Sequence, residues 1–363
     1  MSNVYLARVS SSASTAEIED KIRLLIKKSD LLRVVTSNDL TAVKCHFGEE
    51  GNSTYLPANY IKQVVEAITK VGARPFVTDT NVLYKSRRDN SYDHLQLARE
   101  HGFSHETLQA PVIIADGIKG KNEKEILIEA PQNRTVFIAS DYVDADSLIV
   151  ITHATGHLAT GLGATIKNLG MGMASRKGKL RQHSVSHPLI DAKNCTACEK
   201  CLQWCPSDAI KMVSSNSGNK HHYAQINDED CIGCGECLAT CRMGAVKFKW
   251  DSSSKFLQQQ IVEHALGIVK IKKDKMAYLT FLVQMTKDCD CLPQAAEFVV
   301  EDIGILAGFD PVALDQAVLD LTTRKNGKDN LATLSYAAHD PSIQLEYGEQ
   351  VGLGQREYQL IEI

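Results

Sequence analysis

The chain has 363 residues, more than one hydrophobic core ordinarily holds, so two folding units are expected. It is 44% hydrophobic and 23% charged with a formal net charge of −4, which argues against a disordered chain. With no lysine–arginine block, nucleic acid and anionic membrane surfaces are not expected partners. No apolar run reaches the roughly 20 residues of a membrane-spanning helix, and the first residues, MSNVYLARVSSSAS, lack the apolar centre of a secretion signal. Reduced cysteines and a cytoplasmic location are therefore expected.

The first 190 residues alternate strand-like and helix-like segments. Val4–Val9 reads as a strand, and Thr15–Lys28 carries Ile18, Ile22, Leu25 and Ile26 at helical spacing. Ala42–Phe47 is a strand candidate. Pro57–Val71 places Ile61, Val64, Val65 and Ile68 on one helical face and is closed by Gly72. Pro75–Thr78 is the next strand, Asp93–His101 a helix closed by Gly102, and Val112–Ala115 and Ser147–Thr152 are short buried-strand runs. Such alternation predicts a mostly parallel α/β sheet covered on both faces.

Residues 191–250 differ in character. Cysteines fall there in two copies of one spacing, Cys195, Cys198, Cys201 and Cys205, then Cys231, Cys234, Cys237 and Cys241. This is the bacterial run for two [4Fe–4S] clusters, in which the fourth cysteine of each run ligates the other cluster. The expected sets are Cys195, Cys198, Cys201 and Cys241, and Cys231, Cys234, Cys237 and Cys205. Paired zinc sites are the rival, but zinc has no need of a tripled C-x-x-C step used twice. The halves also match beyond the cysteines, Cys205-Pro206-Ser207-Asp208-Ala209-Ile210-Lys211 against Cys241-Arg242-Met243-Gly244-Ala245-Val246-Lys247. Two hairpin-and-helix halves are expected, with a polar loop over Ser214–His222. Seven acidic and seven basic residues balance in this segment, unlike a strongly acidic free ferredoxin.

After residue 251 the α/β pattern resumes. Lys255–Val269 reads as a helix, Met276–Val283 and Ile303–Ala307 as strands, and Asp310-Pro311 as the cap and first turn of a helix to about Leu321. Gly348–Gly354 reads as loop. Without Pro-rich or Gly/Ser-rich linkers, residues 191–250 are expected as a ferredoxin-like α+β insert between two parts of one α/β domain, 1–190 and 251–363.

Several segments together resemble the family called domain of unknown function 362, in its ferredoxin-containing form. They are Lys44-Cys45-His46-Phe47-Gly48-Glu49, Val77-Thr78-Asp79-Thr80-Asn81, Thr152-His153-Ala154-Thr155-Gly156-His157, Ile166-Lys167-Asn168-Leu169-Gly170-Met171-Gly172, Cys289-Asp290-Cys291 and Asp310-Pro311-Val312-Ala313-Leu314-Asp315. The resemblance implies an α/β domain with an iron–sulfur insert and carries no established activity.

Polar residues gather after the expected strands: Lys44, His46 and Glu49; Asp79 and Asn81; His153 and His157. Ligands of open parallel sheets sit beyond the carboxyl ends of strands, so one pocket is expected to collect these residues, with Asn168 beside them. Taken singly, each is as readily a solvated loop residue. Gly156, Gly161, Gly163, Gly170 and Gly172 are expected to leave backbone N–H groups open to an anion. His157, Lys167 and His183, spaced by 10 and 16 residues, are also similar to a histidine, lysine and histidine of the lactate racemase family. That distant resemblance implies a nickel-pincer nucleotide on Lys167, nickel on His183, and catalytic roles for His157 and His46. Of eleven cysteines, Cys45, Cys289 and Cys291 remain outside the cluster runs. A C-x-C pair chelates a soft metal, presents a thiolate to substrate, or is simply two small buried side chains. Asp310 is explained as a cap, while Asp315 and Asp320 are expected at the solvent, or less favourably in the pocket.

Three functions fit these features. The first is an iron–sulfur oxidoreductase that passes electrons from a redox partner protein through two clusters to a small-molecule substrate or further metal or organic cofactor. There His46, His157, Lys167, His183, Cys289 and Cys291 carry the chemistry, and Lys44, Glu49, Asp79, His153 and Asn168 bind. The second is an electron-transfer or metal-handling module without its own catalysis. The third is a non-redox racemase-like enzyme whose clusters are structural.

Overall fold

The computed structural model describes residues 1–183, 188–205, 207–214, 222–231, 236–247, 254–294 and 297–363. Cys234, Pro206 and residues 215–221 of the polar loop expected over Ser214–His222 lie outside the described residues, while Ser214 and His222 end paired strands. The elements that build the site are β1 (Ser2–Arg8), α1 (Thr15–Lys28), β2 (Leu40–Lys44), α2 (Ala58–Lys70), β3 (Arg74–Asp79), β4 (Val112–Ile114) and β5 (Ser147–His153). They continue with α3 (Thr165–Gly170), α4 (Arg176–His183), α5 (Ser254–Lys272), β6 (Met276–Leu282), β7 (Gly304–Gly308), α6 (Pro311–Asn326) and β8 (Tyr358–Glu362).

Eight strands form one sheet in the order β8-β1-β7-β6-β5-β2-β3-β4. β7 runs antiparallel to both its neighbours, β1 and β6, and every other adjacent pair is parallel. The fold is thus the α/β, mostly parallel sheet expected. Five strands precede residue 191 and three follow residue 250, all in this one sheet.

Alternation along each strand feeds two cores. Leu148 and Val150 of β5 face α5 and α6 with Ile261, Val262, Leu314 and Val318. Ile149 and Ile151 face the other way, with Ile22 and Leu25 of α1 and Ile61 and Val64 of α2. Because both faces are covered, the central strands read as continuous apolar runs. Helix ends follow their sequence signals. Ser14 and Glu17 form a reciprocal capping box on α1, and Asp310 accepts from the Val312 and Ala313 amides at the start of α6.

The structure corrects the C-terminal reading. Gly348 lies in a helix, Ser342–Gln350, and the loop begins only at Val351. Gly348 is buried in that helix, where a Cβ would stand 3.1 Å from Val312 of α6. Close packing, not a turn, explains the glycine.

The middle segment has two short antiparallel pairs, Leu189–Ile190 with Val246–Lys247 and Ile210–Ser214 with His222–Ile226. The helices Lys200–Gln203 and Glu236–Thr240 pack on each other. Its small core is Ile210, Ala224, Cys237 and Val246, with Cys195, Cys201, Cys205 and Cys241 around it. The sequence repeat extends to the backbone: Asp208 and Gly244, matched in the repeat, both adopt positive φ, 52° and 63°. The segment touches the large domain where Leu238 packs on Leu83 and Leu180, and where Lys121 Nζ lies 4.5 Å from the Trp204 ring centre.

Candidate functional site

A cavity of about 650 Å³ opens at the carboxyl ends of β2, β3 and β5. Its walls include Lys44, His46, Glu49, Asp79, His153, His157, Lys167, Asn168, His183, Cys289 and Cys291, while Asn81, expected with them, is not in the wall and bonds Asp116 Oδ1 and Gly117 O instead. Strand ends deliver Lys44, Asp79 and His153; α3 and α4 deliver Lys167 and His183.

Four of the cavity's cations are paired internally. Lys44 Nζ lies 3.0 Å from Asp79 Oδ1, Arg88 3.0 Å from Glu49 Oε2, and His153 Nδ1 2.8 Å from Asp290 Oδ2. Lys167 Nζ donates to Cys289 Sγ at 3.2 Å and reaches Cys291 Sγ at 3.9 Å. Burial would raise the Asp79 carboxyl, but Lys44, His46, His94 and Arg88 together hold it well below the usual carboxylate range. Its Oδ2 is buried without a hydrogen-bond partner, with Arg88 Nη1 3.9 Å away.

Three neutral imidazoles remain. Burial, with Arg88 beside it, pushes His46 well below the ordinary histidine range. Burial and Lys167 do the same to His157, and burial with Lys167 and Lys179 pushes His183 down to about 3. His153 is the opposite. Burial opposes its charge, yet Asp290 and the Val283 carbonyl at its two nitrogens raise it.

A hydrogen bond from Cys291 lowers the Cys289 thiol well below its usual range, helped by Lys167 against burial, while the same bond and burial raise Cys291. Lys167 is correspondingly raised: burial disfavours its charge, and Cys289 and Cys291 overcome that. In this geometry Lys167 stands as the counter-ion of the cysteine pair.

Asn168 lines the cavity, but its amide N–H groups go to Ile151 O and Thr152 Oγ1, each at 3.0 Å, which makes it a brace between α3 and β5. The glycines expected to receive an anion serve packing instead. A Cβ on Gly156 would lie 2.1 Å from Lys287 O, one on Gly170 2.0 Å from Ile261 O, and one on Gly172 2.2 Å from Asn168 O. A Cβ on Gly161 would lie 3.1 Å from His339 O, and one on Gly163 3.1 Å from Thr155 Oγ1. Asp315 is neither at the solvent nor in the pocket. It is buried and accepts from Thr165 N and Ile166 N, both at 2.8 Å, so it caps α3 across 150 residues of sequence. Asp320 accepts from Gln316 and Tyr358. Cys45 is a buried small residue whose thiol burial pushes up.

Sequence reasoning missed Arg88, Tyr84 and Lys179. Arg88 is 1% exposed and bridges Glu49, Tyr84 Oη and His46 Nε2. Tyr84 Oη lies 2.8 Å from the Cys291 carbonyl and 3.0 Å from Glu49 Oε2. Lys179 donates to Thr80 Oγ1 and Ala174 O, and burial lowers it to about 8 against the pull of Asp116. Arg87-Arg88 reads as an ordinary polar loop, and only its burial distinguishes it.

A second, smaller cavity lies in the middle segment. Cys195, Cys198, Cys201 and Cys241 line it with Ile190, Ala224 and Val246. The Ala224 amide donates to Cys195 Sγ at 3.4 Å. Among the described residues no three histidine, cysteine or carboxylate side chains are placed to hold a single metal ion.

Fold and site define an α/β protein with a lined cavity at its strand ends and a cysteine-rich segment beside it. The family model "Domain of unknown function (DUF362)" matches residues 41–320, and the chain belongs to that family. No curated protein matches. Among solved structures, the lactate racemase apoprotein from Thermoanaerobacterium thermosaccharolyticum is similar at 10% identity and a TM-score of 0.40, over 89% of this chain and 58% of that one. A Thermotoga maritima protein solved by structural genomics is similar at 9% identity and a TM-score of 0.40, over 90% and 60%. The chain thus spans less than two thirds of the length of either structure.

Proposed function

We propose that this protein is an iron–sulfur oxidoreductase whose middle segment holds two [4Fe–4S] clusters and whose strand-end cavity holds the substrate or a further cofactor. The observation that carries the reading is the contact of Leu238 with Leu83 and Leu180. Leu238 follows Cys237, Leu83 lines the cavity, and Leu180 sits on the helix that delivers His183, so the neighbour of a cluster cysteine packs on the cavity lining. The residues suit the clusters. Four cysteines, Cys195, Cys198, Cys201 and Cys241, line one recess, which suits the corner ligands of a cubane. An N–H donor on Cys195 Sγ is one means by which a protein tunes such a centre.

When bound, the clusters supply one-electron transfer from an external redox partner. The chain's own groups do the rest. His157 and His183, neutral on the cavity wall, hydrogen-bond the ligand. A cytoplasmic setting, which keeps the thiolates reduced, belongs to this reading.

Anaerobically purified protein is expected to contain eight irons and eight acid-labile sulfides per chain, and dithionite should reduce the centres, with electron paramagnetic resonance as the readout. Zinc in their place would overturn the cluster assignment. Clusters that dithionite cannot reduce would favour the non-redox, racemase-like reading, which rests on His157, Lys167 and His183 sharing one cavity.

A further inference from the structure

Lys167 has two hydrogen-bond partners, Cys289 Sγ at 3.2 Å and Cys291 Sγ at 3.9 Å. An ammonium brings donors only, and a neutral thiol is a weak acceptor. A lysine within the cavity wall, with no carboxylate on it, keeps its charge when one of those sulfurs is a thiolate. Cys289 is the nearer.

The loop is held independently of Lys167. Asp290 is fixed by His153 at 2.8 Å and by Thr54 Oγ1 at 3.0 Å, and its carbonyl accepts from Glu49 N at 3.1 Å. The Cys291 carbonyl is fixed by Tyr84. These contacts leave both sulfurs on the cavity wall, facing a common lysine. The remaining non-cluster cysteine, Cys45, is buried in the core.

We propose that Cys289 is the cavity's nucleophile, that it adds to the carbonyl carbon of a small ligand, and that Lys167 is its counter-ion and proton donor. The sulfur lone pair forms the S–C bond, and the C=O π pair moves onto oxygen. The oxygen then takes one proton from the ammonium. The products are a neutral hemithioacetal and a neutral amine, so charge balances and no oxidant or reductant takes part. Losing its counter-charge in a desolvated site favours the amine form of Lys167. Carbonyl addition is the thiolate reaction that uses such a proton, and His157 and His183 on the same wall are further groups able to bond an oxygen. The step needs no cluster and stands apart from the redox reading.

The test is alkylation of the intact, anaerobic, cluster-loaded chain with iodoacetamide, followed by peptide mass spectrometry at Cys289 and Cys291. An ordinary thiol reacts on the order of 10²-fold faster at pH 8 than at pH 6. The Cys289 rate is expected to change less than about threefold over that range, well short of that ordinary response. Lys167→Met should restore the steep dependence, and excess propionaldehyde should protect Cys289. If Lys167→Met does not fold, the wild-type pH profile decides. A steep profile at Cys289, or preferential labelling of Cys291, overturns the nucleophile. A flat profile without aldehyde protection overturns the carbonyl class.

Discussion

Asp290 accepts from Nδ1 of His153 at 2.8 Å, while the Val283 carbonyl lies 2.9 Å from Nε2 of the same ring. Two acceptors on one imidazole hold two protons there. His46, elsewhere on the cavity wall, has the reverse surroundings. The Gly48 amide donates to its Nδ1 at 2.9 Å, and the Arg88 guanidinium, which cannot accept, stands 2.9 Å from its Nε2. One histidine is built as an imidazolium, and the other is kept neutral, accepting at only one of its two nitrogens. Asp290→Asn keeps the shape and removes the charge. Breaking a buried pair costs roughly 3–5 kcal/mol, and that loss is expected in urea unfolding. The His153 ring, followed by NMR, should titrate at lower pH than in the wild type.

Acid should destabilise the protein through histidines that the cavity does not use. His94 is fully buried with neither ring nitrogen bonded, and burial lowers it to about 3. His264 donates Nδ1–H to Gln260 O and has a buried, unpartnered Nε2, and burial lowers it to about 4. The unfolded chain takes up these protons near pH 6.5 while the folded chain refuses them. Their contribution is therefore full above about pH 6.5 and is lost as pH falls toward the folded values. Each adds a slope of about 1.4 kcal/mol per pH unit inside that window. His264→Gln should flatten the acid limb of a denaturation series by about that amount.

Much of this was legible in the sequence, and what was not has physical causes. The α1 helix follows from apolar spacing and a capping box, local signals that act within one turn. β5 follows from an apolar run buried on both faces. The strand-end rule collected Lys44, Asp79 and His153 because it needs only strand ends, not the paths between them. Arg88 escaped because its role depends on Glu49 and His46, about 40 residues away in sequence. Asp315 escaped because its amide partners are 150 residues upstream. The glycines misled because a bare backbone serves a ligand and a crossing helix equally well, and only Ile261 O beside Gly170 tells them apart.

Asp315 supports the site from a distance. α3 begins at Thr165 with no side-chain cap of its own, so the Asp315 carboxylate takes the free amides two residues before Lys167. Asp315→Ala should lower stability by about 1–3 kcal/mol, since two amides are left unsatisfied in a buried place. Displacing α3 should also loosen Lys167 from Cys289, so the alkylation rate of Cys289 should regain pH dependence. Full retention of stability would contradict the cap.

Cluster ligation should cross between the two cysteine runs. Cys241 lines the recess of Cys195, Cys198 and Cys201, although it closes the other run in sequence. Cys241→Ser should therefore damage the first centre, and Cys205→Ser the centre of Cys231, Cys234 and Cys237. Electron paramagnetic resonance of reduced single and paired variants separates the two. Damage to the centre of its own run by Cys241→Ser would contradict the crossed arrangement.

Excision of residues 191–250, with a short glycine linker, should leave a folded α/β domain. Leu189–Ile190 pairs with Val246–Lys247, so the two ends of the segment lie side by side. Loop-closure cost grows slowly with length, and a segment with adjacent ends can leave without straining the sheet. The eight strands of the large sheet all lie outside the excised range. The loss falls on Leu83 and Leu180, which lose Leu238, and on Lys121, which loses the Trp204 ring. One half-buried leucine contact is a cost of about 1–2 kcal/mol, within what a domain of this size tolerates. A single cooperative unfolding transition, a few degrees below that of the full chain, is expected in calorimetry. A broad, non-cooperative melt would mean that the segment is part of the core and not an insert.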